Sequence, residues 1–527
     1  MSVDKDRNIL HSLGYAQELS RRMSGFSNFA ISFTIISILS GTLTLYGTGI
    51  NYGGPIEEAY GWPLVSLFVI IVGLGMAEIA SKYPTAGGLY YWASKMGGPV
   101  WGWFTGWFNL IGQIAITAGI DYGAAIFTDA LLQLLWPSTF KGTPHEVIYV
   151  YAVILALHAF MNTFGVRLVA FLNDISVWWH VVGVLIIVGF LVVKPNHHQS
   201  FSTVFGHTVN NSGFSHTWQI FIYVFLLGLL QAQYTYTGYD ASAHMSEETQ
   251  NASRAAARGV IMSIVVSAVF GYILALGVTF AIQSLHSTTG AGLFAVKQVY
   301  LDALGTTTAK VMLFITVGAQ FYCGMSSITS ASRMMYAFSR DGATPGHQLW
   351  RRLNAQRVPV YAIWAIAVLA FLLAFPAYFS TGIGVGAGYV AYAAVTSIAT
   401  IGLYIAYAIP IYLRLREGDA WEPGEWNLGS RYKVIGWIAC IWVAFISILF
   451  ILPILPQGIP FKHGFTWLDV NYAPIAVIGT FLLVGGWWML SAKKWFKGPV
   501  SQGTPDELAR IEQQYEGGRP APASGSM

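Results

Sequence analysis

The chain has 527 residues, of which 55% are hydrophobic and only 10% charged, whereas an ordinary soluble domain carries about 25% charged residues. This composition, with a mean hydropathy of +0.54, excludes a soluble enzyme of this size, a disordered chain and a disulfide-rich secreted scaffold. The net charge of +4 arises from 28 basic and 24 acidic residues, which leaves no strong basic field to bind nucleic acid.

Long apolar runs follow one another along the chain, each near the roughly 20 residues that a helix needs to span a bilayer. The approximate runs are 26–50, 61–81, 101–135, 146–166, 170–193, 217–246, 257–283, 306–339, 358–378, 386–413, 433–455 and 472–492. They predict an all-α membrane protein with 12 transmembrane helices. Residues 1–25 are expected to form a cytoplasmic N-terminal segment. Residues 498–527, which end in GGRPAPASGSM, are expected to form a disordered cytoplasmic tail.

Lysine and arginine indicate the orientation of these helices, because cytoplasmic segments carry them in excess. With the N-terminus inside and alternating sides, 23 of the 28 basic residues lie in cytoplasmic segments and five lie outside. The expectation is a multi-pass protein of the plasma membrane whose two termini are both cytoplasmic.

Many helices with little loop mass are typical of a transporter. The sequence contains no Walker loop, no HExxH and no CxxC pair, so it predicts neither an enzyme nor a bound cofactor or metal. The expected partners are a small-molecule substrate and the lipid bilayer.

Transporters often place their substrate site where two membrane helices are discontinuous at corresponding positions of two repeats. Near the middle of the first run, Ser40, Gly41 and Thr42 make a poor helix interior, and the segment 237–240, TGYD, does so in the sixth run. Glycine costs roughly 1 kcal/mol in a helix interior. Two such glycines, Gly41 and Gly238, flanked by small polar residues at matching places favour two functional breaks.

Four segments carry a family resemblance: AEIASKYPTAGGLYYWASKMGG (77–98), GWFNLIGQIA (106–115), GYDASAHMSEETQNA (238–252) and SRMMYAFSRDGATPG (332–346). Together they resemble the amino acid–polyamine–organocation superfamily, and most of all its amino acid/choline transporter branch, which includes permeases for GABA and choline.

The resemblance implies a leucine-transporter-type fold with a five-plus-five inverted repeat, and secondary active transport without ATP. The two repeats would occupy residues 26–193 and 216–416, and two peripheral helices would occupy 433–495. The expected function is therefore a permease that moves amino acids or related amines such as GABA by alternating access.

An amino acid in the middle of a membrane needs partners for both of its charges. Free N–H groups at the start of a half-helix attract an anion, which assigns the carboxylate to Ser40, Gly41 and Thr42. The alternative is that the two hydroxyls merely bond their own helix. Free carbonyls at the end of a half-helix accept from an ammonium. The carbonyls assigned to that group are those of Tyr234, Thr235, Tyr236 and Thr237.

Asp240 is the single residue that most strongly indicates a functional role, because a carboxylate near the bilayer centre costs about 2.5–3.5 kcal/mol on insertion scales. Its position just after the break matches an acidic residue, usually glutamate, that several members of the resembled family carry. Three roles stay open. Asp240 caps the second half-helix, contacts a substrate amine, or binds and releases a proton during transport.

The third run carries a polar stripe at four-residue steps, formed by Asn109, Gln113, Thr117 and Asp121. Such a stripe in a membrane helix faces inward. Asn109 and Gln113 are candidate substrate contacts, with interhelical hydrogen bonding as the alternative. Asp121 is expected near the outer face, away from the site.

The resemblance also suggests where a coupling ion binds. Relatives that couple to sodium use hydroxyls of the eighth run, here Ser326, Ser327 and Ser330, whereas some sodium-independent relatives use a protonatable side chain of the fifth run, here His180. Histidine titrates near neutral pH and suits a proton carrier. A neutral core histidine bonded to a carbonyl is the alternative. Proton coupling or substrate exchange is favoured over sodium coupling.

Aromatic residues of the sixth and tenth runs are candidate gates that close over a small substrate. They are Tyr236, Tyr239, Tyr389 and Tyr392. Acidic and basic residues lie near the inner ends of the helices, including Glu247, Glu248, Arg333 and Arg340. They either form cytoplasmic salt bridges or are ordinary charged residues of the loops.

Two alternative functions stay open. A choline carrier would need an aromatic cage around the quaternary ammonium group. A polyamine carrier would need several acidic residues, and Asp240 is the only central acid that is evident. A membrane sensor that has a transporter fold without transport is disfavoured by the intact breaks and by the absence of a signalling domain.

Overall fold

The computed structural model describes residues 2–164, 166–379 and 387–516. In the first half of this described chain the α-helices are α1 Ser2–Ser12, α2 Gly25–Ile36, α3 Gly41–Thr44, α4 Tyr46–Tyr52, α5 Trp62–Lys82, α6 Gly88–Gly97, α7 Pro99–Leu135, α8 Pro144–Thr163, α9 Val166–Val193 and α10 Phe201–Gly206.

The second half contains α11 Trp218–Gly228, α12 Leu230–Thr235, α13 Ala241–His244, α14 Ala252–Phe280, α15 Leu285–Gly290, α16 Ala295–Arg340, α17 His347–Trp350, α18 Val360–Ala374, α19 Ala387–Glu417, α20 Tyr432–Leu449, α21 Ala473–Trp487, α22 Lys493–Trp495 and α23 Pro505–Glu516. No strand is present among the described residues, so the predicted all-α class is confirmed.

Eleven helical spans among the described residues are long and apolar enough to cross a membrane. The predicted sixth run is not one of them, because it is divided into the short helices α11, α12 and α13. The count of 12 therefore stays a prediction, and the difference arises from the interruption of this run.

The long helices α7 and α16 pack against each other, and α7 also packs along α19. Small residues allow this close approach. A methyl group built on Gly402 of α19 would lie 3.3 Å from the Cα atom of Gly112 of α7. Glycine contacts of this kind let helix backbones approach closely within a membrane.

Helices at corresponding positions of the two expected repeats make corresponding contacts. The fifth run, α9, packs on α16, and its counterpart α19 packs on α7. Likewise α8 packs on α16, and its counterpart α18 packs on α7. The division of the chain into two repeats stays a prediction.

The two terminal segments contact each other on one side of the helices, called here the terminal side. Arg7 and His11 of α1 pair with Glu512 of α23, and the backbone N–H of Ala16 donates to Gln502 Oε1 at 2.7 Å. The expected disorder of 498–527 is therefore wrong for Pro505–Glu516, which forms a helix that buries Leu508. Residues 517–527 lie outside the described residues.

Asp341 links three segments on the terminal side. Its Oδ2 atom accepts from the hydroxyls of Tyr15 and Tyr90 at 2.8 and 3.0 Å, and its Oδ1 atom accepts from the N–H of Val500 at 3.2 Å. Burial raises the pKa of Asp341 to about 6, although Arg340 and these hydrogen bonds act in the opposite direction.

We expect the stability that wild type has relative to Asp341→Asn to fall as the pH rises from 5 to 7. Because the folded pKa of Asp341 lies above its usual value, folding favours the protonated carboxyl, and that preference is lost as the pH rises through about 6. Melting temperatures of both proteins at the two pH values test this. A difference that grows with pH would contradict it.

Candidate functional site

The first break separates α2 from α3. Ser37, at the end of α2, has a φ of 37°, in the left-handed region. The N–H groups of Ser40 and Gly41 both donate to the carbonyl oxygen of Ser37, at 2.8 and 3.0 Å. The two N–H groups that were assigned to a carboxylate are therefore bonded locally in this structure.

The second break separates α12 from α13 and is satisfied mainly by hydroxyl groups from other helices. The Tyr404 hydroxyl donates to the carbonyl of Tyr236 at 2.8 Å, and the Ser32 hydroxyl donates to the carbonyl of Tyr239 at 2.9 Å. The N–H of Gly238 donates to the Tyr407 hydroxyl at 3.3 Å. Helices α2 and α19 thus hold the unwound backbone in place.

The two breaks touch each other at their glycines. A methyl group built on Gly41 would lie 2.8 Å from Thr235 Cα, and one built on Gly238 would lie 2.1 Å from Ile35 Cγ2. Gly238 also has a φ of 89°, which glycine adopts at no steric cost. Both glycines are required by the close approach of the two interrupted helices.

Asp240 is fully buried at the second break and is surrounded by donors. Its Oδ2 atom accepts from Asn109 Nδ2 at 3.1 Å and from Gln113 Nε2 at 2.8 Å, and it lies 3.2 Å from His244 Nε2. Its Oδ1 atom accepts from the Tyr407 hydroxyl at 2.9 Å. The side chain makes no capping hydrogen bond to α13, so the capping role is wrong.

Two members of this cluster were not predicted from the sequence. His244 lies four residues after Asp240, and that spacing on a helix was the signal that could have found it. Tyr407 lies on α19, 167 residues along the chain from Asp240, and no local pattern points to it.

Several buried polar atoms near the breaks have no hydrogen-bond partner, which is rare for buried polar groups. Among the described residues they include Thr42 Oγ1, Asn109 Oδ1, Gln320 Oε1 and Ser330 Oγ. Thr42 lies at the first break, and Asn109 bonds Asp240 at the second. These unsatisfied atoms mark places where a polar ligand would find partners without breaking a bond within the protein.

The tyrosines of the second break point in different directions. The Tyr236 hydroxyl lies 2.6 Å from Ser66 Oγ on α5, and the Tyr239 ring centre lies 4.9 Å from that of Tyr407 on α19. The hydroxyl of Tyr234 would lie 2.7 Å from a methyl group built on Gly119 of α7. These rings pack between the interrupted helix and its neighbours.

The small polar residues at the second break bond nearby backbone. The Thr235 hydroxyl donates to the carbonyl of Gln231 within α12, and the Thr237 hydroxyl donates back to the carbonyl of Tyr234. Of the two predicted gates on α19, Tyr392 donates to the carbonyl of Gly119 at 3.3 Å. The side chain of Tyr389 lies outside the described residues.

The coupling-ion candidates occupy separate places. His180 Nε2 lies 2.7 Å from the Ser37 hydroxyl at the first break. Ser326 donates to Asn173 on α9 at 2.5 Å, whereas Ser327 lies 2.7 Å from the Thr117 hydroxyl on α7. Because the hydroxyls of Ser326 and Ser327 bond different neighbours, they do not converge on one cation in this structure.

Two further buried acids lie beside the interrupted sixth run. Glu58 Oε2 accepts from Gln231 Nε2 at 3.0 Å, and Gln231 also donates to the carbonyl of Thr42. Glu57 packs against Gly228. Glu57 Oε2 and Glu58 Oε1 have no hydrogen-bond partner, so Asp240 is not the only buried acid beside the sixth run.

On the terminal side, two buried ion pairs join the segment after α13 to α16. Glu247 pairs with Arg340 at 3.0 Å, and Glu248 pairs with Arg333 at 2.7 Å. Salt bridges, rather than ordinary loop charge, are therefore present here.

A family model described as "Amino acid permease" matches residues 23–482. The chain is 41% identical over 517 residues to "Amino-acid permease BAT1" of Arabidopsis thaliana, an alignment that covers 95% of this chain and 97% of that protein. It is 29% identical over 517 residues to the "GABA-specific permease" of Saccharomyces cerevisiae, covering 95% and 87%. It is 24% identical over 538 residues to a "Putative polyamine transporter" of Candida albicans, covering 99% and 93%.

Proposed function

Because the chain belongs to the amino acid permease family, we propose that it carries its substrate across the plasma membrane by alternating access around the two helix breaks. The protein is a multi-pass transporter of amino acids or related amines rather than an enzyme. The observation that carries the proposal is the buried contact of the two breaks beside Asp240.

The proposed orientation places both termini in the cytoplasm. It is supported by the bias of 23 among 28 lysine and arginine residues toward one side. The terminal side would then be cytoplasmic, and the buried pairs Glu247–Arg340 and Glu248–Arg333 would close the inner end of the substrate path in this structure.

The proposed substrate site lies between the breaks. Thr42 Oγ1 and Asn109 Oδ1 are the atoms available to a substrate, because neither has a protein partner. The N–H groups of Ser40 and Gly41 would bind a carboxylate after giving up their bonds to Ser37. Such an exchange preserves the number of hydrogen bonds, which suits a site that alternates between closed and open states.

An amine carrier is the second candidate function. It is supported by Glu57 and Glu58, which are buried and have unpartnered carboxylate oxygens beside the interrupted sixth run. A buried carboxylate is stabilised by a cation, and the additional ammonium group of a diamine is such a cation. Transport of putrescine that falls in Glu58→Gln, while transport of a neutral amino acid persists, would favour this candidate.

Counterflow in proteoliposomes tests the proposed function directly. Vesicles preloaded with unlabelled GABA, a neutral, a basic or an acidic amino acid, choline or putrescine would receive the same compound radiolabelled outside. We expect at least one amino acid or amine to accumulate label transiently. Label that enters protein-free vesicles equally, for every compound, would contradict transport.

Asp240→Asn is expected to reduce uptake by about 5- to 150-fold, since leaving even one of the buried donors around Asp240 unsatisfied costs about 1–3 kcal/mol. Uptake and equilibrium binding of the transported compound are the measurements. Weakened binding identifies Asp240 as an amine contact, whereas retained binding without concentrative uptake identifies a proton carrier. The matched control is Asp129→Asn on α7, where the carboxylate accepts from Gln133. An Asp240→Asn variant with full uptake and binding would remove Asp240 from the site.

A further inference from the structure

One contact at the second break joins two fully buried titratable groups. His244 Nε2 lies 3.2 Å from Asp240 Oδ2, and neither residue is exposed. On the other side of the imidazole ring, His244 Nδ1 lies 2.9 Å from the carbonyl oxygen of Ala86. The histidine therefore bridges the candidate site and the segment that precedes α6.

The two contacts of His244 can both be hydrogen bonds only if a proton lies between His244 and Asp240. A carbonyl oxygen only accepts hydrogen bonds, so His244 Nδ1 carries the hydrogen that it donates to Ala86. In a neutral ring Nε2 is then an acceptor, and it would face a carboxylate oxygen that is also an acceptor. Two such atoms 3.2 Å apart attract each other only if one proton lies on Nε2 or on Oδ2.

The groups that surround the pair favour this protonated form. Asn109 and Gln113 donate to Asp240 Oδ2 from α7, and Tyr407 donates to Oδ1 from α19. The titratable groups that face the pair are Tyr407 itself and the adjacent Tyr239 and Tyr404. The surroundings thus stabilise an aspartate beside an imidazolium, which together are neutral and can remain buried.

The Asp240–His244 pair is connected through one residue, Ala86, to a buried ion pair on the terminal side. Ala86 accepts from His244 through its carbonyl, and its N–H donates to Glu247 Oε1 at 2.9 Å. Glu247 in turn pairs with Arg340 of α16. Two hydrogen bonds therefore connect His244 to a buried ion pair.

The other buried histidines do not require an added proton. His180 Nδ1 donates to the carbonyl of Ser176 at 2.8 Å, and its Nε2 accepts from the Ser37 hydroxyl. His158 Nδ1 lies 3.2 Å from Asp121 Oδ2, while its Nε2 has no partner. Neither ring needs an added proton for these contacts, because each Nδ1 can donate while Nε2 stays unprotonated. Of the three buried histidines among the described residues, His244 is thus the one whose two contacts call for a proton.

We infer that the Asp240–His244 pair binds the proton that accompanies the substrate, and that its release weakens the link through Ala86 to the terminal-side ion pair. The inference rests on the proposed transport function. The proton enters from the external medium, is held between Nε2 and Oδ2, and leaves to the terminal side. Loss of the proton leaves two acceptors facing each other, so the contact opens.

Proteoliposomes that contain the pH indicator pyranine, in sodium-free buffer, test the inference with GABA or whichever panel compound shows counterflow. We expect external substrate to acidify the lumen of wild-type vesicles. In His244→Gln the amide still donates to Asp240 but exchanges no proton. This variant should lose both the acidification and the accumulation driven by a pH gradient by a larger factor than it loses counterflow.

His158→Gln is the matched control, because it removes an equally buried histidine that also lies 3.2 Å from an aspartate. We expect it to retain acidification. Wild-type counterflow without acidification would overturn the inference and leave the proposed function standing, as would His244→Gln vesicles that acidify like wild type. If His244→Gln does not fold, wild-type counterflow without acidification still overturns the inference. Failure of every compound to show counterflow would instead refute the proposed function.

Discussion

Replacing Gly238 with alanine is expected to abolish transport. The new methyl group would lie 2.1 Å from Ile35 Cγ2, and overpacking of this kind costs about 1–3 kcal/mol. The φ of 89° at this position adds about 1–2 kcal/mol for a residue with a Cβ atom. Since each 1.4 kcal/mol is about a factor of ten in an equilibrium, uptake should fall by more than about tenfold. Counterflow with purified protein is the measurement.

Gly305→Ala separates backbone strain from the contact between the breaks. Gly305 lies within α16 and has a φ of 72°, but no atom lies within 4 Å of a methyl group built there. We expect this control to lower the melting temperature slightly and to keep transport. Equal loss of transport in both variants would mean that contact between the breaks is not what Gly238 provides.

Arg333→Ala is expected to destabilise the protein by about 3–5 kcal/mol, because it leaves a buried charge without its partner. Arg333 Nε donates to Glu248 Oε1 at 2.7 Å, and both residues are almost completely buried, at 0% and 1% exposure. The carbonyl of Glu248 also accepts from the N–H groups of Arg22 and Met23. Loss of this pair would therefore loosen the segment before α2 as well. Denaturant unfolding of the purified protein measures the effect.

Arg254→Ala is the control for this ion pair. Arg254 lies 3.4 Å from Glu425, with side chains 59% and 30% exposed, and exposed pairs contribute about 0–1 kcal/mol. The double variant Glu248→Gln with Arg333→Met removes both buried charges and should recover part of the lost stability. If Arg254→Ala and Arg333→Ala unfolded at the same denaturant concentration, the buried pair would have no special role.

The places where the first and sixth runs stop being helical were predictable from local sequence. Glycine flanked by small polar residues is unfavourable in a helix interior wherever the helix packs. The structure interrupts the sixth run at 236–240, around Gly238, and the first run at 37–40, just before Gly41, which begins α3. The donors of Asn109 and Gln113 could be placed on one inward face, because residues four apart on a helix lie on the same side. That both donate to Asp240 followed only from the structure.

The partners of Asp240 show why local sequence was insufficient. Helices such as α7 are buried on nearly all sides, so their apolar pattern does not reveal which face meets which neighbour. Tyr407 reaches Asp240 only through the rotation of α19 about its axis and its position along the membrane normal. Helix α23 likewise was expected to be disordered because the chain beyond it ends in a Gly/Pro/Ser-rich stretch, whereas the structure pairs it with α1.

Membrane insertion, the position of each span and the charge bias across the bilayer depend on composition summed over some 20 neighbouring residues, and these were readable in the chain alone. The meeting of Gly238 with Ile35 and the 3.2 Å contact of Asp240 with His244 depend on helix rotation, depth and side-chain direction. Those quantities are set by packing among residues far apart in sequence, so only the tertiary structure decided them.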